Sequence, residues 1–350
     1  MQISENISLA PLTTFGVGGP ARWFAEAATE DDVAEAAEWA RARGAALFVL
    51  GGGSNLLVAD GGFDGLVLRV ALRGIESAAA GVLRAAAGEP WEQCVERSLE
   101  LGWAGIECLS GIPGTVGGTP VQNVGAYGQE VAPVIERVRA FDLVERAWVE
   151  LGAAECGFAY RRSRFNTLDR GRFVVTRVDY RLVPGGAPTL RYAELQRAVE
   201  AAHPSDQAAL AEVAAAVRNI RRGKGMLLVE GDADCRSAGS FFKNPVISED
   251  LFHRIAARSA ESSSGGTPAH FPADVANCVK IPAAWLIEQA GFAKGFALGN
   301  AGISSRHTLA VVNRGGARAD EILALAETIA RAVKERFGIS LEMEPVLVGF

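Results

Sequence analysis

The chain has 350 residues, 49% of them hydrophobic and 22% charged, a length and composition that suit two domains with cores of their own and exclude a disordered chain. Its 41 acidic against 35 basic side chains leave a net charge of −6, which excludes the broad basic surface of a general nucleic-acid binder. No run of about 18 uncharged apolar residues occurs, and Met1 to Ile7 lack the basic-then-apolar form of a secretion signal, so a cytoplasmic protein without a membrane partner is expected.

Along the chain, Thr29-Glu-Asp-Asp32 has a capping-box pattern and opens a helix with Val33, Ala36, Ala37 and Ala40 on one face and Gly44 as its stop. Ala46–Leu50 follows as a short buried strand that runs into Gly51-Gly-Gly-Ser-Asn55; Leu66–Val70 and Val82–Ala86 read as further strands. Pro90 and Gly102 bracket a helix whose apolar face is Trp91, Val95 and Leu99. Phe173–Leu182 has strand composition with partial alternation, and Pro184-Gly-Gly-Ala-Pro188 breaks the pattern. After residue 200 the texture turns helical, over 206–221, 248–260, 282–290 and 319–336, the last with a stripe of Ile322, Leu325, Ile329 and Val333. Glu261–Pro268 reads as a low-complexity surface loop, and no internal repeat is present. A strand-rich, glycine-rich part to about residue 200 and a mixed α/β part after it are expected.

Cys94, Cys108, Cys156, Cys235 and Cys278 are odd in number, scattered and never in a C-x-x-C pair, which excludes a disulfide scaffold or zinc ribbon. His203, His253, His270 and His307 form no H-E-x-x-H or H-x-H pair, so no metal site is expected. Three glycine clusters remain: Phe15–Gly19, Gly51–Asn55 and Gly111-Ile-Pro-Gly-Thr-Val-Gly-Gly118. Any one alone reads first as turns; the other reading is a phosphate cradle, where bare N–H groups approach an anion and a Cβ would clash. None is a Rossmann fingerprint, and no Gly-Lys-Ser/Thr makes a Walker loop. Pyrophosphate binding by loops between strands stays open.

Leu50–Val58 followed by Gly111–Gly118 resembles the two FAD-binding loops of the vanillyl-alcohol-oxidase-type flavin fold. With Pro120-Val-Gln-Asn-Val-Gly-Ala-Tyr-Gly128, Tyr160-Arg-Arg-Ser-Arg-Phe165, Ala238-Gly-Ser-Phe-Phe-Lys-Asn-Pro245 and Leu341-Glu-Met-Glu344 in order, the chain from about residue 10 onward resembles the UDP-N-acetylenolpyruvoylglucosamine reductase (MurB) family. The resemblance implies an α+β fold: an FAD-binding domain over 1–200, in lobes of about 1–70 and 71–200, then a mixed α/β substrate-binding domain over 201–350. A last strand within 341–350 would return to the N-terminal lobe. It further implies NADPH-dependent reduction of the enolpyruvyl ether of UDP-N-acetylglucosamine enolpyruvate to UDP-N-acetylmuramate through bound FAD, for peptidoglycan synthesis; no protein partner is evident in the sequence, and a monomer is expected. An FAD-dependent oxidase on the same fold, or a non-catalytic flavin- or nucleotide-binding protein, are the alternatives.

Site residues follow from the same motifs. FAD contacts fall on Gly51, Gly52, Gly53, Ser54 and Asn55; on Gly111, Gly114, Thr115, Gly117 and Gly118; and on Asn123, Gly125 and Ala126. Ser240 matches the proton donor of the family. A serine hydroxyl is a very weak acid, but a carbanion-like intermediate is basic enough to take its proton; alone, Ser240 reads as a turn serine before two core phenylalanines. Arg161 and Glu344 match the pair that stabilises the developing enolate. A guanidinium presents a fixed fork to a carboxylate, and Glu344 would act protonated in an apolar setting. Without the motif, Arg161 and Arg162 are indistinguishable and Glu344 reads as a strand-edge carboxylate. Tyr192 matches a tyrosine that closes over the nucleotide in one subgroup. Arg218, Arg221 and Lys224 fall where diphosphate ligands are expected, or on a solvated helix end. Lys243, Asn244 and Lys280 accompany motif segments, while His307 reads as structural. Many family members carry a basic residue two positions after the glutamate, where this chain has Val346; Arg221, Arg222 and Lys224 are the candidates to replace it.

Overall fold

The computed structural model describes residues 1–202, 208–261, 266–273 and 275–350. His203, the first two residues of the helix expected from 206, and the centre of the loop expected over 261–268 lie outside the described residues. The chain forms two compact units, one of residues 1–12, 20–54 and 62–223, the other of 13–19, 55–61 and 224–350.

In the first unit a four-stranded sheet runs in the order Ser4–Ser8, Pro20–Ala27, Phe63–Val70, Ala46–Leu50. Its last three strands are mutually parallel, so the chain needs a crossover, and α1 (Glu30–Ala42) supplies it. Thr29 and Asp32 close the capping box, and Val33, Ala36 and Ala40 are buried. A second, antiparallel sheet of five strands has the order Ala147–Gly152, Ile135–Asp142, Phe173–Arg181, Val82–Ala86, Ile75–Ala79. A fork joins α1 to this sheet: Arg139 Nε and Nη2 donate to the two carboxylate oxygens of Glu30 at 2.7 and 2.8 Å, and the Thr176 hydroxyl adds a third bond at 2.9 Å. α2 (Trp91–Glu100) buries Trp91, Cys94 and Val95. Two further helices, α3 (Ala193–Ala202) and α4 (Leu210–Gly223), pack Leu195 and Val199 against Val213, Val217 and Cys108.

The second unit carries α5 (Glu249–Glu261), α6 (Ala283–Gln289) and α7 (Ala319–Phe337). The stripe Ile322, Leu325, Ile329 and Val333 of α7 is fully buried, and the helix ends on left-handed Gly338. Its small sheets are Val246–Ser248, Cys278–Lys280, Phe271–Pro272 and Ala297–Leu298, Ala301–Ile303, Val311–Asn313.

The division differs from the expected cut at 200 in two ways. α3 and α4 share their apolar side with Cys108, which carries the first unit on to Gly223. The segments 13–19 and 55–61 belong to the second unit because Phe15, Val17 and Leu57 are buried with Phe241 and Phe242. The last strand, Val346–Val348, pairs in parallel with Leu56–Val58, a stretch early in sequence but part of the second unit.

The Arg139 guanidinium beside Glu30 holds its carboxyl below the usual range. A carboxyl depressed on folding stabilises above its unfolded value and loses that contribution as the pH falls through its folded value. Glu30→Gln should therefore lower unfolding free energy at pH 7 by about 1 kcal/mol. In urea titrations the gap to the wild type should narrow below a pH of about 4; a gap of equal size at low pH would show that the ion pair is not its source.

Candidate active site

The flavin-loop candidates other than Asn55 lie in the first unit. Gly51–Ser54 and Pro113–Thr115 meet backbone to backbone: a Cβ on Gly52 would lie 2.7 Å from Gly114 Cα, and one on Gly51 would lie 2.9 Å from Thr115 Oγ1. Ser54 Oγ donates to the Pro113 carbonyl at 3.0 Å. The start of α2 holds the second loop, since Trp91 N–H donates to the Gly114 carbonyl at 3.0 Å and Val116 N–H to the Glu89 carbonyl at 2.9 Å. Gly117 is pressed on Ala87, where an added Cβ would come within 2.7 Å of the alanine's own, whereas Gly118 faces open space. Among the described residues, the N–H groups of Gly52, Gly53 and Ser54 donate to no protein acceptor. Bare N–H groups on close-packed glycine backbone fit a diphosphate, so this loop pair suits the pyrophosphate of FAD.

Asn123 ties the next motif together. Its amide donates to Glu130 Oε2 at 2.9 Å and to the Ala159 carbonyl at 3.1 Å, and its oxygen accepts from Ala132 N–H at 3.0 Å. Gly125–Ala126 and Gln129–Glu130 form a tight hairpin. Tyr160 and Arg161 sit at the tip of a turn closed by reciprocal bonds between Ala159 and Arg162. Arg161 takes the left-handed corner, with φ 54°, and its Nη2 donates to the Gly125 carbonyl at 2.6 Å. The structure thus separates two residues the sequence does not: Arg161 is half-buried and folded onto the Asn123–Gly128 hairpin, while Arg162 is exposed.

Of the expected substrate ligands here, Tyr192 is exposed and meets Tyr127 edge-on at 5.5 Å. Arg218 pairs with Glu92 at 2.9 Å. Arg221 is neither on a solvated helix end nor on an open surface: it is buried and donates from Nε to the Gly111 carbonyl at 2.9 Å.

In the second unit the backbone brings Ser240 and Glu344 to one place. Phe242 and Met343 form an antiparallel bridge; Glu344 N–H donates to the Phe241 carbonyl at 2.9 Å and Lys243 N–H to the Glu342 carbonyl at 3.0 Å. Ser240 is half-buried on left-handed Gly239, and Phe241 behind it is anchored by its N–H to the Leu309 carbonyl at 2.8 Å. Asn55 holds the other side: its amide donates to the Glu344 carbonyl at 3.2 Å, and its carbonyl accepts from Val346 N–H at 2.9 Å. Lys243 is paired with Glu342, and Asn244 Oδ1 accepts from Ala283 N–H at 2.9 Å at the start of α6. Lys280 lies opposite Val246 on the neighbouring strand. His307 is half-buried beside Ser304, whose Oγ accepts its N–H. Val346 opens the strand on Leu56, a place for a β-branched residue. Among the described residues no cluster of His, Cys, Asp or Glu could hold a metal ion, and no helix is long and apolar enough to cross a membrane.

Glu92 and Tyr127, which touch these elements, were not legible as site residues. Glu92 looks like a first-turn acid favoured by the helix dipole, and a tyrosine at 127 gives no sign of a left-handed corner.

A family model described as UDP-N-acetylenolpyruvoylglucosamine reductase, C-terminal domain, matches residues 231–348, and an FAD binding domain model matches 21–147. The UDP-N-acetylenolpyruvoylglucosamine reductase of Streptomyces coelicolor is 46% identical over 100% of this chain and 91% of its own length. That of Thermobifida fusca is 45% identical over 99% and 98%. The crystal structure of the Thermus caldophilus UDP-N-acetylenolpyruvylglucosamine reductase superposes with a TM-score of 0.68 at 27% identity, covering 99% of both chains.

Gly52→Ala and Gly114→Ala should each force the loops apart and cut FAD affinity about tenfold or more, read as flavin absorbance retained per protein on gel filtration. Full retention in both would remove the loop contact from flavin binding.

Proposed function

The chain belongs to the UDP-N-acetylenolpyruvoylglucosamine reductase family and is an FAD-containing oxidoreductase; on that premise we propose that it reduces UDP-N-acetylglucosamine enolpyruvate to UDP-N-acetylmuramate at the expense of NADPH, in peptidoglycan precursor synthesis. The reading includes a cytoplasmic monomer. The observation that carries it is the pairing of the Ser240 segment with the Glu344 segment.

Bound FAD would supply the two-electron relay between NADPH and substrate. The residues of this chain do the rest. Gly51–Ser54 and Gly111–Gly118 would hold its diphosphate. Ser240 would donate its hydroxyl proton to the substrate carbon beside the carboxylate, where negative charge develops. Arg161 and a protonated Glu344 would hold the enolate oxygens, an electrostatic contribution largest when the charge is fully formed. Backbone bonds on both sides of Glu344, to Phe241 and to Asn55, fix the point from which its side chain starts.

Anaerobic addition of NADPH should bleach the flavin, and the enolpyruvyl substrate should restore its band faster than air does; the reverse order of rates would favour an oxidase. In Ser240→Ala, NADPH should still bleach the flavin, but reoxidation by substrate should fall by about 100-fold or more. Undiminished turnover would remove Ser240 from the chemistry. Arg161→Gly and Arg161→Ala should both abolish turnover, yet the glycine variant should be more stable by about 1 kcal/mol, because only the alanine keeps a Cβ at φ 54°. Equal stability of the two would show that the corner carries no strain.

A further inference from the structure

Gly111, the first residue of the second flavin loop, is gripped from both sides by charged groups. Its N–H donates to Glu92, and its carbonyl accepts from buried Arg221 at 2.9 Å. Glu92 also accepts from the Ser110 hydroxyl at 2.7 Å and from Arg218 at 2.9 Å. Through these bonds both arginines hold the loop.

The guanidinium of Arg221 has a second partner, the side chain of Tyr127. Arginine only donates, so the phenol oxygen accepts. Burial pushes the Tyr127 phenol up to about 12, which keeps it neutral at physiological pH. The placing of this ring costs backbone strain. Tyr127 and Gly128 are the two central residues of the hairpin Gly125–Ala126/Gln129–Glu130, both left-handed, with φ 50° and 81°. A turn of that kind favours Asn-Gly, and a bulky side chain at its first corner is disfavoured. Strain of this sort, held at a site by its surroundings, points to a role for the side chain it aims. The edge of the same ring meets exposed Tyr192 at 5.5 Å and 87°. Behind the turn the backbone is close as well, since a Cβ on Gly128 would lie 3.0 Å from that of Arg191.

We infer that Tyr127 is a positioning residue: it joins the exposed ring of Tyr192, where the nucleotide part of the substrate would rest, to the flavin loop through Arg221 and Gly111. The inference rests on the proposed function for what sits on Tyr192, but the Tyr127–Arg221–Gly111 chain stands on its own contacts. Lysine at position 221 keeps a charge but has no planar fork to serve the Gly111 carbonyl and the phenol together.

The test is a cycle on the holoenzyme of Tyr127→Phe, Arg221→Lys and the double variant. FAD release on dilution is followed by free-flavin fluorescence. Each single variant should weaken FAD binding about tenfold, and the double variant no further, because both break one chain of contacts. Tyr127→Phe keeps the ring edge on Tyr192, so it should still bind UDP-N-acetylglucosamine enolpyruvate, but the change that substrate makes in the flavin absorbance band should fall by at least about half. FAD affinity within about twofold of wild type in Tyr127→Phe, single effects that multiply in the double variant, or an unaltered substrate-induced band change would overturn the inference. A wild-type flavin band that ignores the substrate would overturn the proposed function, and non-additive FAD release would then still uphold the clamp on Gly111.

Discussion

Backbone contact between two loops, Gly51–Ser54 and Pro113–Thr115, limits everything else the first unit can do. At a separation where an added Cβ would sit 2.7 Å from a neighbouring Cα, only glycine is tolerated at residue 52. The close approach in turn needs support, because a loop of bare peptide has little side-chain packing of its own. That support comes from all sides: the start of α2 through Trp91 and Glu92, the end of α4 through Arg221, and the Ser54 hydroxyl. Asn55, the next residue in the chain, belongs to the second unit, where it secures the backbone of Glu344.

Charge in this protein is used mainly to hold shape. The chain has 35 basic residues, 30 of them arginine, and those of the motif regions are mostly engaged within the protein. Arg164 forks onto Asp169 at 2.7 Å; Arg306 reaches Asp232 and Asp234; Arg139 clasps Glu30. A net charge of −6 therefore says little about any one surface, since paired arginines cancel where they stand.

Much of the fold was legible because periodicity and punctuation agree with the packing. The helix from Thr29 begins at a cap that a reader can see and the one from Pro90 at a proline, and α7 buries the stripe its spacing marks. α3 was missed although Leu195 and Val199 stand one turn apart, since a ten-residue helix after a Pro-Gly-rich break offers only that one pair. The motifs located the candidate residues but not what holds them. No local rule connects Arg221 with Gly111, or Asn55 with Glu344, since their partners lie 110 and 289 residues away. Positive φ at Arg161 and Tyr127 was equally hidden, because residue type there argues for the opposite.

The parallel pair Leu56–Val58 and Val346–Val348 has a consequence for how the protein is made. A chain leaving the ribosome presents its N-terminal elements first, and Leu56–Val58 emerges long before its partner strand exists. Throughout the synthesis of Gly62–Gly223, an apolar Leu-Leu-Val stretch has no native strand beside it. An unpaired apolar edge is a template for pairing with other chains. The interval is one of the longest-range closures in the molecule, and contacts of that separation are slow to form. Nascent copies crowded on one message are thus exposed to mispairing at this tripeptide until Val346–Val348 arrives to cover it.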